Sequence, residues 1–436
     1  MGANTVSIGA FPALLPEIGT TVHLADWQLG AVAGAFGFAR MLADVPVGLF
    51  ITHHLARALT VAPIFLVSGA LVMTTGGEFS TVLIGRVLMG TGHTLSMLAG
   101  LTTVLRYRAG PGLASSLNAL ELSSMLGVLG GVSLVAFLPR AVPWPTAFLL
   151  ACAPALVTLV TLPLLRRALP SGVDGPRPLF ARSERHEPSS PASSSRLAVL
   201  AGVAGTAIAI SYSAVDQFVI PVRGSREFGL ERAGIARLLM LSQLVDIVAL
   251  LPVGALADRR GTPRVVAAIM LAFTVALTLI GFGTLPMMAL GCVLFGLGMA
   301  GWMLPLGILR SVTPPAQVAW RVALYRVSVD GGMFLGPVLA GVLTARHAGV
   351  LPAALIVVMA TVAVTLLAAA ARYCAVAVSR MVLSPAARSR VRPSISRSTL
   401  WKSDVAPPST TGRPLGTTSS VAATVKSIAP DPSVAT

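Results

Sequence analysis

Long apolar stretches separated by short polar segments run through most of this chain. A helix of about 20 apolar residues is long enough to cross the hydrocarbon core of a bilayer. The stretches are continuous, whereas the strands of a membrane barrel alternate apolar and polar positions. The pattern therefore predicts an all-α polytopic membrane protein with twelve transmembrane helices. The predicted helices are residues 4–18, 27–51, 57–76, 80–105, 112–138, 144–165, 197–222, 232–256, 263–284, 286–309, 318–345 and 349–371.

The first predicted helix, residues 4–18, is short for a hydrocarbon core that is about 30 Å thick. Either this helix is only half inserted, or the natural start of the protein lies upstream of Met1. Of these two explanations we favour a truncated start.

The amino-acid composition also indicates a membrane protein. Of the 436 residues, 55% are hydrophobic and 11% are charged, whereas a soluble domain carries about 25% charged residues. The net charge of +16 would suggest nucleic-acid binding in a soluble chain, but arginines in cytoplasmic loops explain it here. We therefore expect a lipid bilayer and no nucleic acid as partner. The cysteines Cys152, Cys292 and Cys374 form no metal or disulfide motif, so we expect no cofactor and no metal.

Two polar segments divide the chain. Residues 166–196 are rich in Pro, Ser and Arg and have no apolar period, which is typical of a flexible linker. Residues 373–436 are polar and basic, which predicts a disordered cytoplasmic tail. The rest of the chain forms two predicted six-helix halves, 1–165 and 197–372.

The arginine positions predict the orientation of the helices. With the N-terminus inside, most arginine-rich loops and the linker 166–196 face the cytoplasm, as the positive-inside rule requires. Both termini are then cytoplasmic. The exception is the outside loop RGSREFGLER, residues 223–232, which has three Arg and two Glu. The Arg-rich and Ala-rich composition is typical of a GC-rich bacterium, so we expect the bacterial cytoplasmic (inner) membrane.

The two halves share a register of small residues. Gly48 aligns with Gly254 at an offset of 206 (254 − 48). This register extends over about 80 residues and indicates an internal duplication. The alternative is a coincidence between glycine-rich helices. The other pairs at this offset are Pro46 with Pro252, Gly90 with Gly296, Gly92 with Gly298, and Gly130 with Gly336.

The loop LPVGALADRRGTPR at 251–264 has a recognisable pattern, G-x-x-x-D-R-x-G-x-x-R. With this loop and the segments IGRVLMGTGH (84–93) and GMFLGPVLAG (332–341), the chain resembles the major facilitator superfamily over nearly all of 5–371. The resemblance implies secondary active transport by a rocker-switch between two six-helix halves. The candidate gating residues from these motifs are Gly254, Asp258, Arg259, Gly261, Arg264, Gly336 and Pro337.

The loop residues suit a turn at the membrane surface. Gly254 would let a neighbouring helix approach closely, and Gly261 would permit a positive φ. Asp258 can accept hydrogen bonds from helix N–H groups or pair with an arginine, and such pairs would act as a latch if they break during rocking. The alternative is that the arginines only set the topology. The first-half copy at 44–59 has Thr52 in place of the Asp, so the second half would carry most of any latch.

Four charged residues inside predicted helices are further candidates for gating. Charges within a membrane helix cost about 3 kcal/mol to insert and invite a functional explanation. Arg40 and Asp44 lie four residues apart in the second helix, and Arg326 and Asp330 lie four apart in the eleventh. The resemblance places these two helices against each other, which implies a four-residue network that holds one side closed. The alternative is two independent structural ion pairs.

Six residues are candidates for the transport cavity or for coupling. Arg86 and His93 share a face of the fourth helix, which the resemblance places at the central cavity. Arg86 suits an anionic group, and His93 titrates near neutrality, although a lone histidine is more often hydrogen-bonded to a neighbour. The others are Glu121, Tyr212, Asp216 and Asp246.

The acidic candidates point to protons. Glu121 and Asp246 are implied neighbours, and two adjacent acids favour retention of a proton on one of them. Gln243, one turn away, is an alternative partner for Asp246. Tyr212 and Asp216 lie near the predicted outer end of their helix, in an external vestibule or at a solvated helix end.

These features together predict a monomeric, proton-coupled transporter that exports a small organic molecule. The alternatives are an uptake symporter for a metabolite and a non-transporting membrane sensor with the same fold. The chain contains no H-E-x-x-H, no D-x-x-D and no phosphate-binding Gly–Lys loop, so we do not expect an enzyme.

Overall fold

The computed structural model describes residues 1–107, 113–168, 191–313, 317–344 and 349–383. Nearly all of them are helical, and this part of the chain contains no β-strand, which confirms the all-α fold. A π-helical turn, Val215–Val219, joins α6 to α7. The helices are α1 (Gly2–Thr21), α2 (Asp26–Thr75), α3 (Phe79–Tyr107), α4 (Leu113–Phe137), α5 (Trp144–Ala168), α6 (Pro191–Ala214), α7 (Ile220–Arg226), α8 (Arg232–Arg260), α9 (Thr262–Phe282), α10 (Leu285–Met299), α11 (Leu304–Ser311), α12 (Val318–Thr344) and α13 (Val350–Leu383).

The described chain contains 10 helical stretches that are long and apolar enough to cross a membrane. This number confirms a multi-pass protein. It is lower than twelve because α2, with 50 residues, covers two predicted helices, and because α1 is not among the ten. The count of twelve therefore stays a prediction.

Helix α2 consists of two parts joined by a kink at His54, whose φ is −132° and ψ is 48°. Both parts pack against α3: Gly90 lies against the backbone of Phe36, and Gly92 lies against the backbone of Ala62. Phe36 and Ala62 would be about 39 Å apart along a straight helix (26 residues at about 1.5 Å). Their contacts on α3, Gly90 and Gly92, are only two residues apart. The chain must therefore reverse direction between Phe36 and Ala62. This agrees with the predicted boundary between helices 27–51 and 57–76.

Close helix contacts repeat at the offset of 206, as an internal duplication requires. A Cβ added to Gly90 would lie 2.5 Å from the carbonyl oxygen of Phe36, and one added to Gly296 would lie 2.2 Å from the carbonyl oxygen of Ser242. Ser242 follows Phe36 by 206 residues (242 − 36). Equivalent glycines thus join equivalent helices, which a coincidence would not produce. A second pair at this offset is Gly85 against Met73 and Gly291 against Leu279.

We expect Gly296→Ala to lower the thermal stability of the protein. The new Cβ would meet the carbonyl oxygen of Ser242 at 2.2 Å, and such overpacking costs about 1–3 kcal/mol. Gly254→Ala is the matched control, because no atom of the described residues lies within 4 Å of its added Cβ. The measurement is the unfolding temperature of each purified variant in one detergent. Equal shifts in both variants would contradict the packing role.

The turn between α8 and α9 matches the expected loop motif only in part. Gly261 has a φ of 88°, which confirms the predicted positive φ. The close helix approach expected at Gly254 is wrong for this conformation, since its added Cβ would meet open space. Asp258 is exposed, and α9 begins without a side-chain cap. Asp258 has no ion-pair partner in the described part of the chain, so this residue makes no latch contact there.

The bounds of the predicted tail and of the predicted linker change. Helix α13 continues to Leu383, so the first residues of the predicted tail 373–436 are helical. The predicted linker 166–196 is shortened from both sides, because α5 continues to Ala168 and α6 begins at Pro191. The remainder of both segments lies outside the described residues, and the division into two six-helix halves stays a prediction.

Candidate functional site

A cavity lies between helices of the two predicted halves. Its wall is formed by α1, α2, α3 and α4 on one side and by α6, α8, α10 and α12 on the other. The space open to the centres of water molecules is about 140 Å³, which is room for roughly five waters at about 30 Å³ each. The structure therefore brings together all six residues that the sequence suggested for a cavity: Arg86, His93, Glu121, Tyr212, Asp216 and Asp246.

Arg86 provides a buried cation at the cavity wall. Its guanidinium carbon lies 3.6 Å from the ring centre of Phe11 and 5.0 Å from that of Phe36, a cation–π arrangement. Its Nε donates to the carbonyl oxygen of Val32 at 3.4 Å, while one terminal nitrogen has no partner in the described chain. His93, two turns along α3, packs on Phe36 and also has a buried nitrogen without a partner there. Both side chains thus keep hydrogen-bonding capacity that the described chain does not use.

Two aspartates of the second half line the opposite wall. Asp216 accepts a hydrogen bond from Gln217 at 2.8 Å, and the π-helical turn Val215–Val219 directs both residues to the cavity. Asp246 accepts a longer bond of 3.4 Å from Gln243, and its other oxygen has no partner in the described chain. Glutamine is therefore the hydrogen-bond partner of each acid. Within the described ranges, no group of three or more His, Cys, Asp or Glu side chains is arranged to hold a metal ion.

Glu121 and Tyr212 complete the predicted cavity set. The carboxyl groups of Glu121 and Asp246 are near enough to repel each other, as the sequence suggested, and Arg40 attracts Glu121. The Tyr212 ring stacks on Phe295 with centres 6.3 Å apart and planes at 13°. The expectation of an external vestibule or a solvated helix end for Tyr212 is therefore wrong. Its side chain faces the cavity between the two halves.

The four charged residues of α2 and α12 form one cluster. Arg40 pairs with Asp330 at 2.7 Å, and Arg326 pairs with Asp44 at 3.4 Å. The carboxyl groups of Asp44 and Asp330 also contact each other. The ion pairs thus run between the helices and not along them, which favours the network over two independent pairs. We call these residues the four-charge network.

Small residues bring α12 close to its neighbours on both sides. A Cβ added to Gly336 would lie 2.2 Å from the Ser213 hydroxyl oxygen of α6. On the other side, a Cβ added to Gly30 would lie 2.4 Å from the carbonyl oxygen of Pro337. Gly336 therefore lets α12 pack closely on α6, and Gly30 lets α2 pack closely on α12 at Pro337.

Arg232 joins the two halves at one end of the bundle. Its side chain is only 2% exposed. It donates to the carbonyl oxygen of Val142 at 2.7 Å and to that of Pro139, and it pairs with Glu17 at 3.4 Å. These three partners belong to the first half, whereas Arg232 begins α8 of the second. We call this end, with the connections 22–25, 138–143 and 227–231, the closed end.

Two more ion pairs cross between the halves at the closed end. Arg226 pairs with Asp26 at 2.5 Å, and Arg140 pairs with Glu231. Sequence reasoning missed this cluster, although its signal was present. The loop RGSREFGLER, 223–232, was the exception to the arginine distribution, and these contacts explain why its charges are there.

Comparisons with known proteins agree with this architecture. The family model of the Major Facilitator Superfamily matches residues 197–425. A solved POT family transporter in complex with thioalcohol conjugated peptide has a TM-score of 0.70 at 12% identity, over 85% of this chain and 94% of that chain. The nucleoside transporter NupG gives 0.64 at 11% identity, over 84% and 96%. The human organic anion transporter MFSD10 (TETRAN) gives 0.58 at 17% identity, over 84% and 97%. No curated protein sequence matches. Because the three solved structures share only 11–17% sequence identity with this chain, their similarity establishes the fold alone.

Proposed function

Because this chain belongs to the Major Facilitator Superfamily, we propose that it exports a small organic molecule in exchange for protons. Membership supports a secondary transporter and not an enzyme. The observation that carries the finer proposal is the cavity between the halves. Its wall bears Glu121, Asp216 and Asp246, and none of the three forms an ion pair in the described chain.

The two halves would rock about this cavity to give alternating access. The ion pairs of Arg226 and Arg232 hold the closed end together. At the opposite end, which carries the turns at His54 and Gly261, added Cβ atoms on Gly48 and Gly254 would meet open space. We call this the open end. The four-charge network lies between the cavity and the open end, where it would tighten as that end closes.

The arginine distribution assigns the open end to the cytoplasm. The conformation is then inward-facing, with both termini cytoplasmic. Asp258 at the open end has no ion-pair partner among the described residues, which fits this assignment, since a latch at the cytoplasmic face is broken when that face is open. We expect the protein to act as a monomer in the bacterial inner membrane.

The partners of the two aspartates support proton coupling. Asp216 is bonded to Gln217 and Asp246 to Gln243. A glutamine amide both donates and accepts hydrogen bonds, so it can bind a carboxylate through its NH2 group and a neutral carboxylic acid through its oxygen. Either protonation state is thus accommodated without a change of partner, as a proton carrier requires.

We expect the purified protein in proteoliposomes to accumulate a solute when the lumen is acidic. Protons that leave the lumen would drive the solute inward, and about one pH unit supports up to about tenfold accumulation for one proton per solute. The measurement uses a panel of radiolabelled amino acids, amines and carboxylates. Accumulation from an acidic exterior would instead indicate uptake by symport, and no flux for the whole panel would indicate a sensor.

A further inference from the structure

The charged groups on the cavity wall are separated by sign between the halves, with Glu121 as the exception. Arg40 and Arg86 come from α2 and α3 of the first half. Asp216 and Asp246 come from the π-helical turn and from α8 of the second half. Among the described wall residues, Glu121 is the one acid that the first half contributes. A solute in the cavity therefore lies between a cationic wall and an anionic wall.

Two buried atoms of opposite character lack partners on these walls. One is a terminal nitrogen of Arg86, a residue that is 1% exposed, and the other is Oδ1 of Asp246, a residue that is 5% exposed. Within the described chain, Arg86 has aromatic rings and a carbonyl oxygen around it but no carboxylate. Buried polar atoms of this kind are costly unless a ligand or water bonds to them. The cavity wall thus holds one cationic donor and one anionic acceptor whose hydrogen-bonding capacity is not used within the described chain.

We infer that the transported solute is a small zwitterion. Its carboxylate binds Arg86, and its ammonium group binds Asp246 and Asp216. The rings of Phe36, Phe295 and Tyr212 pack against its apolar body. The space open to the centres of water molecules, about 140 Å³, is sufficient for a solute of roughly the size of an amino acid. This inference rests on the proposed transport function.

Solutes with a single charge leave half of the site unsatisfied. A simple amine would bind the aspartates but would leave Arg86 unpaired and would be repelled by it. A simple carboxylate would bind Arg86 but would face the three acids without an ammonium group to offset them. Because a hydrogen bond to a charged group is stronger than a neutral one, loss of either charge is expected to weaken binding about tenfold or more.

Binding to the full chain in lipid nanodiscs, measured by isothermal titration calorimetry, tests this inference. Two sets of probes are used, and the members of each set share one apolar group and differ in charge. The first set is L-phenylalanine, 2-phenylethylamine and 3-phenylpropionate. The second is L-leucine, isoamylamine and 4-methylpentanoate. We expect at least one zwitterion to bind about tenfold or more tightly than both of its singly charged analogues. If no zwitterion binds, or if an analogue binds as tightly, the inference is wrong.

Three variants test which residue binds which charge of the solute. Arg86→Gln is expected to remove the preference for the zwitterion over the amine, and Arg86→Lys to retain part of it because the charge remains. Asp246→Asn is expected to remove the preference over the carboxylate. A merely structural role would change affinity for all three probes equally, and that result would overturn the assignment.

The outcomes separate this inference from the proposed function. A zwitterion preference in nanodiscs together with no flux in proteoliposomes would refute transport and leave the binding site intact. Proton-driven flux of solutes without this charge pattern would support transport and overturn the zwitterion site.

Discussion

Replacement of Asp246 by Asn is expected to abolish the response of transport to a pH gradient. Asparagine fills nearly the same space and keeps a hydrogen bond to Gln243, but it cannot carry a proton. Accumulation of the solute driven by a gradient of about one pH unit should fall from about tenfold to none. Counterflow at saturating solute, which needs no net proton movement, should persist with a lower affinity. Flux of the transported probe in proteoliposomes, with and without an acidic lumen, measures both.

The matched control is Glu78→Gln, a carboxyl-to-amide change at an exposed position between α2 and α3. It should leave gradient-driven accumulation unchanged. Asp216→Asn should reduce accumulation less than Asp246→Asn, because Asp216 has the shorter glutamine bond and Asp246 is the acid that Glu121 repels. If the Asp246→Asn protein still responds fully to the gradient, protons do not pass through this residue.

The helices and the cavity residues could be predicted because their signals are local. An apolar stretch of 20 residues defines a membrane helix by itself, and spacing along α3 places Arg86 and His93 on one face. The pairing of α2 with α12 came from the family resemblance. The structure then brought Arg40 to Asp330 and Arg326 to Asp44, because each arginine reaches across to the facing helix.

Tyr212 and Asp216 were placed too near the end of their helix, because the helical stretch Arg196–Arg226 continues four residues beyond the predicted end at 222. The turn at Val215–Val219 adds a residue to the helical repeat and rotates the faces on either side of it. A count of 3.6 residues per turn along α6 therefore does not hold across this segment. Both residues had been predicted as candidates for the cavity. Only their predicted position along the helix was wrong.

Packing glycines cannot be told from unpacked ones by sequence. Gly254 and Gly296 both lie inside α8 or α10, yet only Gly296 meets a neighbouring backbone. The difference depends on tertiary contacts and on which end of the bundle is open. The role of Arg232 was missed for the same reason, because two of its partners are the backbone carbonyls of Pro139 and Val142, which carry no residue-specific signal.

Arg232→Gln is expected to open the closed end. The change removes a charged side chain that bonds to Glu17 and to two carbonyl oxygens of the first half. Each hydrogen bond to a charged group contributes about 1.5–3 kcal/mol, so the outward-open population should rise at least about tenfold. The readout is the rate at which a membrane-impermeant maleimide, added from the periplasmic side, labels Ser124→Cys in the cavity. Native cysteines are replaced by alanine for this experiment.

Arg223→Gln provides the matched control in the same loop. Arg223 is also largely buried, but it bonds to Glu227 and to the carbonyl oxygens of Ile280 and Gly283, all within the second half. Its loss should lower stability without favouring either conformation, so the labelling rate should stay near that of the parent protein. Equal acceleration by both substitutions would mean that general loosening of the loop controls access. Faster labelling by Arg232→Gln alone would mean that contacts between the halves control it, because only those contacts must break when the closed end opens.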